Sequence, residues 1–223
     1  EMHSFQKRCP DFDIIISCIG SRTGGVSDSW NVEYQANRNL LDLGFSKKTQ
    51  QFILLSAICV QKPKLEFQFA KLAFERVLTN SGINYTIVRP TAFFKSLSGQ
   101  VKNLRNGKKF VYFDDGKRTS CKPISEKNLA QFICKCIGNK ATLNKILPIG
   151  GKGPAMTPIE IGNILFDLLN TKPKFKSIPT KIFSIADKSL APIAFFSPKV
   201  RDTQQFLRIA KYYATESMLF SNF

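Results

Sequence analysis

The stretch LLSAICVQKPKLEFQFAK, residues 54–71, decides the fold of this chain. It begins inside an apolar run, residues 52–60, that is too short for a helix and is typical of a buried strand. From Phe67 to Asn80 the apolar residues follow helical spacing, and Ser81-Gly82 ends that pattern. A buried strand followed closely by a helix is typical of one repeat of an α/β sheet.

The same alternation continues on both sides of that stretch. Residues 11–20 form an apolar run that ends at a glycine, and a polar, glycine-bearing loop follows at residues 21–29. Helical spacing marks residues 30–44, and a short third strand is predicted at residues 85–88. Alternating strands and helices predict an α/β fold with a parallel sheet and covering helices.

Beyond Phe94 the pattern loosens and predicts a small mixed region. It contains two short strands and four helical segments: the strands at residues 108–113 and 145–149, the helices at residues 125–137, 157–169, 182–190 and 206–217. Thr157, Pro158 and Glu160 follow the order of helix cap, first-turn proline and capping-box partner. Residues 172–198 are rich in Pro, Lys and Phe and otherwise predict a loop-rich lid or linker.

The net charge is strongly positive, +17, from 33 Lys and Arg against 16 Asp and Glu. Because lysine predominates and is scattered through every segment, we attribute the charge mainly to compositional drift. An anionic small ligand is the next interpretation, and nucleic acid is the least favoured partner. No apolar run approaches the roughly 20 residues of a transmembrane helix, so contact with a membrane would be peripheral.

The six cysteines include no C-x-x-C pair, and the chain has one histidine. Cys134 and Cys136 lie two residues apart on a predicted helix and would point to different faces, which is poor geometry for a shared metal ion. Cys18 and Cys59 fall in apolar strands and are interpreted as small core residues. The sequence therefore predicts no metal site and a reducing compartment.

Six strings in the sequence resemble one family closely. They are SRTGGVSDSW (21–30), LLSAICVQKPKLEFQFAKLAFE (54–75), VRPTAFFKSLSGQV (88–101), CKPISEKNLAQFI (121–133), KILPIGGKGPAMTPIE (145–160) and KYYATESML (211–219). Together they resemble the NADPH-dependent divinyl chlorophyllide 8-vinyl reductases, atypical short-chain dehydrogenases of the NmrA-like branch. The resemblance implies a Rossmann-like parallel sheet with helices on both faces, NADPH as cofactor, and an oxidoreductase that acts on a CH–CH group.

The resemblance also divides the chain. Residues 1–98 would be a partial NAD(P)-binding Rossmann domain, and residues 99–223 a substrate-binding region from which residues 145–150 return to the sheet. The family holds the cofactor pyrophosphate on a glycine-rich loop, whose spacing Gly20 and Gly24-Gly25 lack. We expect that loop, with the first strands, on a missing N-terminal half or a partner chain; a decayed copy of the gene is the third alternative. Residues 14–19 would then form an exposed apolar edge.

Short-chain dehydrogenases keep a catalytic Ser and a Tyr-x-x-x-Lys pair in the region of residues 54–71. The resemblance thus assigns catalytic roles to Ser56 and Lys71, with Phe67 where the Tyr would be. A phenyl ring cannot donate a proton, but hydride addition to a ring-conjugated vinyl leaves a delocalised carbanion that water or a weak acid could protonate. Phe67 would then stack on the macrocycle. Simpler roles stay open: core packing for Phe67, a solvated cation for Lys71, and a backbone-bonded hydroxyl for Ser56.

The resemblance places the cofactor along the carboxyl ends of the strands, where open α/β sheets bind ligands. Arg22 would reach a phosphate, or be a surface cation. The residues expected around the cofactor are Cys18, Ile19, Ser21 and Arg22 beside the adenosine half, Ser56, Ala57 and Lys71 at the nicotinamide ribose, and Pro90, Thr91, Ala92 and Phe93 along the nicotinamide pocket.

The implied substrate is divinyl chlorophyllide or protochlorophyllide, whose vinyl group would become ethyl. Phe94 and Phe110 offer flat apolar surface for the ring, and Lys95 or Lys122 could pair with its propionate carboxylate. Core packing or plain surface charge explains each of these four residues about as well. The resemblance further implies a plastid location, in the stroma or at the thylakoid, with a cyanobacterial cytoplasm as the alternative.

Two other functions stay open. A non-catalytic NmrA-like dinucleotide-binding protein or pseudoenzyme is favoured by Phe67 and by the missing glycine loop. An RNA-binding plastid protein is favoured by the charge of +17. Dinucleotide binding without turnover would indicate the first, and a steeply salt-dependent RNA affinity the second.

Overall fold

The computed structural model describes residues 9–194 and 197–220. Its strands are β1 (Ile14–Ser17), β2 (Gln51–Leu55), β3 (Asn84–Pro90), β4 (Phe110–Phe113), β5 (Lys145–Ile149) and β6 (Phe175–Ile178). Its α-helices are α1 (Val26–Ser29), α2 (Asn37–Ser46), α3 (Glu66–Thr79), α4 (Phe94–Leu97), α5 (Val101–Arg105), α6 (Glu126–Cys136), α7 (Pro158–Leu168), α8 (Lys181–Ala194) and α9 (Pro198–Thr215). A π-helical segment, Trp30–Ala36, joins α1 to α2, and 3-10 helices span Ile58–Gln61 and Ser98–Gln100.

Four of these strands form one parallel sheet, in the order β1-β2-β3-β5. Each strand pairs in register with its neighbour: Phe52 of β2 lies opposite Ile15 of β1 and Tyr85 of β3. The predicted parallel sheet with helices on both faces is confirmed. Within the described residues β1 pairs on one side only, and its Ile16 is 42% exposed.

The two faces of the sheet are covered by different helices, because successive side chains of a strand point to opposite faces. One face carries Phe52 and Leu54 of β2, which pack with Leu41 of α2 and with Phe74 and Leu78 of α3 in one buried cluster. On the other face the Gln51 amide donates to the Cys136 carbonyl at the end of α6 (2.9 Å). We call the face under α2 and α3 the α3 face.

Some predicted boundaries are wrong. The first helix begins at Val26 rather than at residue 30 and turns π-helical from Trp30. The second strand stops at Leu55, and Ile58–Gln61 is a 3-10 helix rather than strand. β6 lies inside residues 172–198, where no strand was predicted, and it pairs in parallel with β4.

The chain divides into two compact units, residues 1–90 with 127–149 and residues 91–126 with 150–223. The first holds the four-stranded sheet; the division into a cofactor domain and a substrate region stays a prediction. In the second, the rings of Phe110 and Phe166 meet Phe175 edge-on, with centroids 5.9 and 5.5 Å away. The predicted capping box is confirmed, since the Thr157 hydroxyl accepts from the Glu160 amide and the Glu160 carboxylate from the Thr157 amide.

The cysteine predictions are confirmed for three residues and wrong for one. Cys134 is exposed and Cys136 buried, so the pair does point to different faces, and Cys59 is a buried core residue. Cys18 is exposed, which corrects its interpretation as core, because it follows the last residue of the edge strand β1. Among the helices of the described residues, none is both long and apolar enough to cross a bilayer.

The packing of the second unit predicts the effect of a single methyl group. A Cβ at Gly162 of α7 would lie 2.5 Å from the Phe175 ring and 3.0 Å from the Phe110 ring. We expect Gly162→Ala to lower the free energy of unfolding by about 1–2 kcal/mol, because overpacking costs more than the helix propensity of alanine returns. Urea denaturation followed by circular dichroism measures it.

Gly99→Ala is the matched control, since nothing lies within 4 Å of its Cβ position. Equal unfolding midpoints for the two variants would contradict the packing of Phe110 and Phe175 against Gly162.

Candidate functional site

The carboxyl ends of the parallel strands meet at one edge of the sheet, and on the α3 face a small cleft opens there. Its lining residues come from β2 and the residue after it, from the π-helical segment, and from α2 and α3: Glu33, Asn37, Leu54, Leu55, Ser56, Lys71 and Phe74. Its lining side chains pack too closely to enclose a ligand, so a ligand would lie against the mouth of the cleft.

Ser56 directly follows β2 and lies on the α3 face, two residues after Leu54. Its backbone N–H donates to the Val88 carbonyl (2.8 Å), which extends the pairing of β2 with β3 by one residue. Its side chain is buried, with 6% of the residue exposed, and its Oγ has no hydrogen-bond partner among the described residues. An unpaired buried hydroxyl costs about 1–3 kcal/mol, so it is a group that a ligand would satisfy.

Lys71 reaches the cleft from α3. The helix is fixed at its start by Gln68, whose side-chain oxygen accepts from the amides of Lys64 (2.7 Å) and Leu65 (3.0 Å). Phe67 lies one turn before Lys71 and is half-buried. The Lys71 ammonium donates to Oε2 of Glu33 at 2.6 Å, and the two side chains are only 13% and 3% exposed.

Glu33 is the functional candidate that the sequence analysis missed. It lies in the π-helical segment, where its Oε1 also accepts from the backbone amide (2.7 Å) and the hydroxyl (2.8 Å) of Ser21. The signal was present: Glu33, Asn37, Leu41 and Gly44 follow helical spacing, and all four are buried. Two polar residues therefore continue the apolar stripe of α2 toward the carboxyl edge of the sheet.

Asn37 closes the network toward β1. Its Oδ1 accepts from the Ser17 hydroxyl (2.5 Å), and its Nδ2 donates to the Glu33 carbonyl (2.9 Å). Ser17 ends β1 and is 1% exposed. A buried polar layer thus seals the carboxyl end of the apolar core, and each of these side chains has a partner.

The loop after β1 is held from both sides. Ser21 is tied to Glu33, and the Asp28 carboxylate accepts from the Thr23 amide and hydroxyl (2.8 Å each). Those hydrogen bonds lower the pKa of Asp28 below its usual value. Arg22 lies between these two anchors and is exposed. Cys18, which is exposed, and Ile19, which is half-buried, lie just before them. The loop therefore presents a cation on a fixed backbone.

A second buried ion pair lies further along α3. The Arg89 guanidinium of β3 donates to both carboxylate oxygens of Glu75, one of them at 3.2 Å. The side chains are 18% and 4% exposed, and neither residue lines the cleft. Pro90, which ends β3, is buried.

The other predicted residues belong to the second unit. Thr91 is buried, and its hydroxyl donates to the Lys122 carbonyl. Phe93 pairs with Ile124 in an isolated bridge, and Ala92 is half-buried. The Thr91 hydroxyl therefore has a partner within the unit before any ligand is considered.

The predicted substrate residues differ in exposure. Phe94 is 51% exposed, and the 81% exposed Lys95 side chain lies 3.7 Å from Glu126. Phe110 is 4% exposed inside the aromatic cluster of β4, β6 and α7, which favours core packing over contact with a ligand. No group of three or more His, Cys, Asp or Glu side chains that could hold a metal ion occurs within the described ranges.

Two side chains at the cleft could hold a ligand that carries hydroxyl groups. It combines a buried hydroxyl without a partner, on Ser56, with a lysine that uses one of its three N–H bonds on Glu33. A ribose presents hydroxyl groups that can both accept and donate hydrogen bonds. Ser56 and Lys71 are the residues that would hold it.

The chain is about half identical to two curated plant proteins. It is 50% identical over 212 residues to the divinyl chlorophyllide a 8-vinyl-reductase, chloroplastic, of Cucumis sativus, and 49% identical over 213 residues to that of Arabidopsis thaliana. Each match takes in 93% of this chain and 51% of the relative. The chain therefore spans about half the length of the curated relatives it matches.

A solved structure shares the fold. The nucleoside-diphosphate-sugar epimerase of Staphylococcus aureus superposes with a TM-score of 0.72 at 16% identity, over 100% of this chain and 74% of the epimerase. At that identity the likeness supports the Rossmann-like fold alone. A family model described as NAD(P)H-binding matches residues 1–140, which contain the whole cleft. The chain belongs to this NAD(P)H-binding family.

Proposed function

We propose that this chain forms the nicotinamide–ribose part of an NADPH-dependent reductase that converts the 8-vinyl group of divinyl chlorophyllide or protochlorophyllide to ethyl. One observation carries the proposal: Lys71 and the unpaired Ser56 hydroxyl line one cleft in a chain 50% identical to a divinyl chlorophyllide a 8-vinyl-reductase. The enzyme would be an oxidoreductase acting on a CH–CH group. The phosphate-binding loop would be supplied outside these 223 residues.

The roles of the residues follow from their hydrogen-bonding capacity. Lys71 would donate its two remaining N–H bonds to the ribose hydroxyls, and Ser56 would donate to the ribose or to the nicotinamide carboxamide. Ala57 is extended and half-buried beside Ser56, and would border the same ring. Pro90 ends β3 in the same unit as Ser56 and would border the nicotinamide ring. For Thr91, Ala92 and Phe93, which belong to the second unit, a place along the nicotinamide is proposed from the resemblance alone.

Reduction of the vinyl group adds one hydride and one proton across its C=C bond. The nicotinamide cofactor, when bound, would supply the hydride. Phe67 has no polar atom, so it cannot supply the proton; its half-buried ring, one turn from Lys71, would pack against the substrate macrocycle. The proton would come from water, because the charge left on the substrate is delocalised over the ring and needs no adjacent acid.

The remaining parts of the proposal rest on two exposed residues, Phe94 and Lys95, and on the half-buried Lys122. Phe94 offers apolar surface for the macrocycle, and Lys95 and Lys122 are the cations for its propionate carboxylate. Both plant relatives are named chloroplastic, so we place this chain in a plastid as well. Dinucleotide binding without turnover would instead identify a pseudoenzyme, and RNA affinity without dinucleotide binding would identify a nucleic-acid-binding protein.

Because the Ser56 hydroxyl has no partner among the described residues, its removal should lower NADPH affinity and not the stability of the fold. Ser56→Ala removes a buried group without a partner, so we expect the free energy of unfolding to stay within about 0.5 kcal/mol or to rise. NADPH affinity should fall about fivefold, the loss of one hydrogen bond. Isothermal titration calorimetry gives the affinity for this chain fused to the part of the cucumber relative that it does not match, and urea denaturation gives the stability. A destabilised variant with unchanged affinity would show that the hydroxyl serves the fold.

The proposed roles of Lys71 and Phe67 predict different effects on turnover when each residue is replaced. Turnover is assayed on divinyl chlorophyllide, with this chain fused to the part of the cucumber relative that it does not match. Lys71→Met should lower kcat about 100-fold through misplacement of the ribose. Phe67→Tyr should bring none of the roughly 100-fold gain that a needed general acid would give. If Lys71→Met turned over substrate at the wild-type rate, Lys71 would have no role in the reaction.

The exposed cation of the loop after β1 predicts the choice of dinucleotide. We propose that Arg22 pairs with the 2′-phosphate that distinguishes NADPH from NADH. Arg22→Gln should weaken NADPH about tenfold, the value of one charge-assisted hydrogen bond, and leave NADH unchanged. Arg76→Gln, an exposed cation on α3, is the control, and an equal effect of both variants would mean that Arg22 acts only through net charge.

A further inference from the structure

The Glu33 carboxylate joins three parts of the first unit. One oxygen, Oε2, accepts from the Lys71 ammonium of α3 (2.6 Å). The other, Oε1, accepts from the amide (2.7 Å) and the hydroxyl (2.8 Å) of Ser21, in the loop after β1. Glu33 itself lies on the π-helical segment and is 3% exposed.

Stability alone does not explain this arrangement. Removing two charges from water costs about as much as their attraction returns, and an apolar pair of similar size is often at least as stable. The first unit already holds one such pair, Arg89 with Glu75, away from the cleft. The Glu33–Lys71 pair differs because both residues line the cleft beside the unpaired Ser56 hydroxyl.

Lys71 depends on Glu33 for its position. The side chain one turn earlier, Phe67, offers no polar atom, and the hydrogen bond to Oε2 holds the flexible lysine chain at its tip. Since Oε1 is used by Ser21, the carboxylate cannot rotate without breaking contact with the loop. Both oxygens of Glu33 are therefore engaged, and Glu33 would act on a ligand only through Lys71.

We propose that Glu33 is the positioning residue of this site. It fixes the Lys71 ammonium relative to the loop after β1, so that the lysine meets the ribose hydroxyls in a set orientation. The contact of Lys71 with the ribose rests on the proposed function. The positioning of Lys71 by Glu33 can be tested without that function.

The first experiment measures, in the 223-residue chain, how strongly Glu33 restrains the Lys71 ammonium. Lysines are labelled with limiting acetic anhydride, and peptide mass spectrometry gives the rate at Lys71. Glu33→Gln should raise that rate about tenfold, the ratio for loss of one charge-assisted hydrogen bond. Glu75→Gln is the matched control, because it breaks the other buried pair, where Glu75 is 4% exposed, and should leave Lys71 at the wild-type rate.

Equal labelling of Lys71 in Glu33→Gln and Glu75→Gln would overturn the proposal. Circular dichroism reports whether each variant is folded. If Glu33→Gln is not, Glu33→Asp decides: it keeps the charge, and its side chain, one methylene shorter, cannot span both partners. Faster labelling in folded Glu33→Asp supports the proposal, and the wild-type rate overturns it.

The second experiment separates positioning from structure in the chain fused to the unmatched part of the cucumber relative. Glu33→Gln should lower kcat about 100-fold, as a misplaced catalytic group does, with a smaller change in the KM for NADPH. Glu33→Asp should recover part of the loss, and Glu75→Gln should lose stability but not kcat. Full kcat in folded Glu33→Gln would overturn the role in the reaction.

The two proposals fail separately. If the wild-type fusion neither binds NADPH nor reduces the vinyl group, the proposed function fails, and the labelling of Lys71 still decides whether Glu33 positions it. If turnover is present but Glu33→Gln leaves both labelling and kcat unchanged, the proposed function stands and the role of Glu33 fails.

Discussion

Parallel pairing of β1, β2 and β3 is the constraint on which the rest of the first unit depends. It directs the segments that leave all three strands toward one edge of the sheet. The apolar cluster around Phe52 and Phe74 then fixes α2 and α3 over one face, and polar groups that cannot enter this cluster collect at its carboxyl end. The cleft with Ser56 and Lys71 is the open part of that polar layer.

Much of this fold is predictable because buried strands and amphipathic helices leave clear periodic patterns. The sheet strands, α3 and the Thr157 capping box follow from such patterns. The 3-10 helix Ile58–Gln61 does not, since its apolar residues are buried just as those of a strand would be. β6 is not predictable either, because it is four residues long, carries a lysine and a serine, and pairs with β4, which lies far from it along the chain.

Only the part of the candidate site that lies at the ends of the strands is predictable from the sequence. Ser56 and Lys71 were expected near the carboxyl edge, and the structure brings them together in one cleft. Glu33 was missed because a glutamate on a helix is ordinarily solvated, and only its alignment with Asn37 and Leu41 reveals that it faces inward. Phe110 shows the opposite limit: sequence alone does not separate an aromatic in a core from one at a binding surface.

The π-helical segment Trp30–Ala36 makes the number of residues in this helix as important as their identity. A residue removed there would turn everything before it by about 100° relative to α2, since one residue of an α-helix corresponds to that rotation. Apolar packing of α2 on the sheet would survive, yet Ser21 and Lys71 would lose their common acceptor. In related chains, insertions and deletions within this segment should therefore be rarer than substitutions on its outer surface.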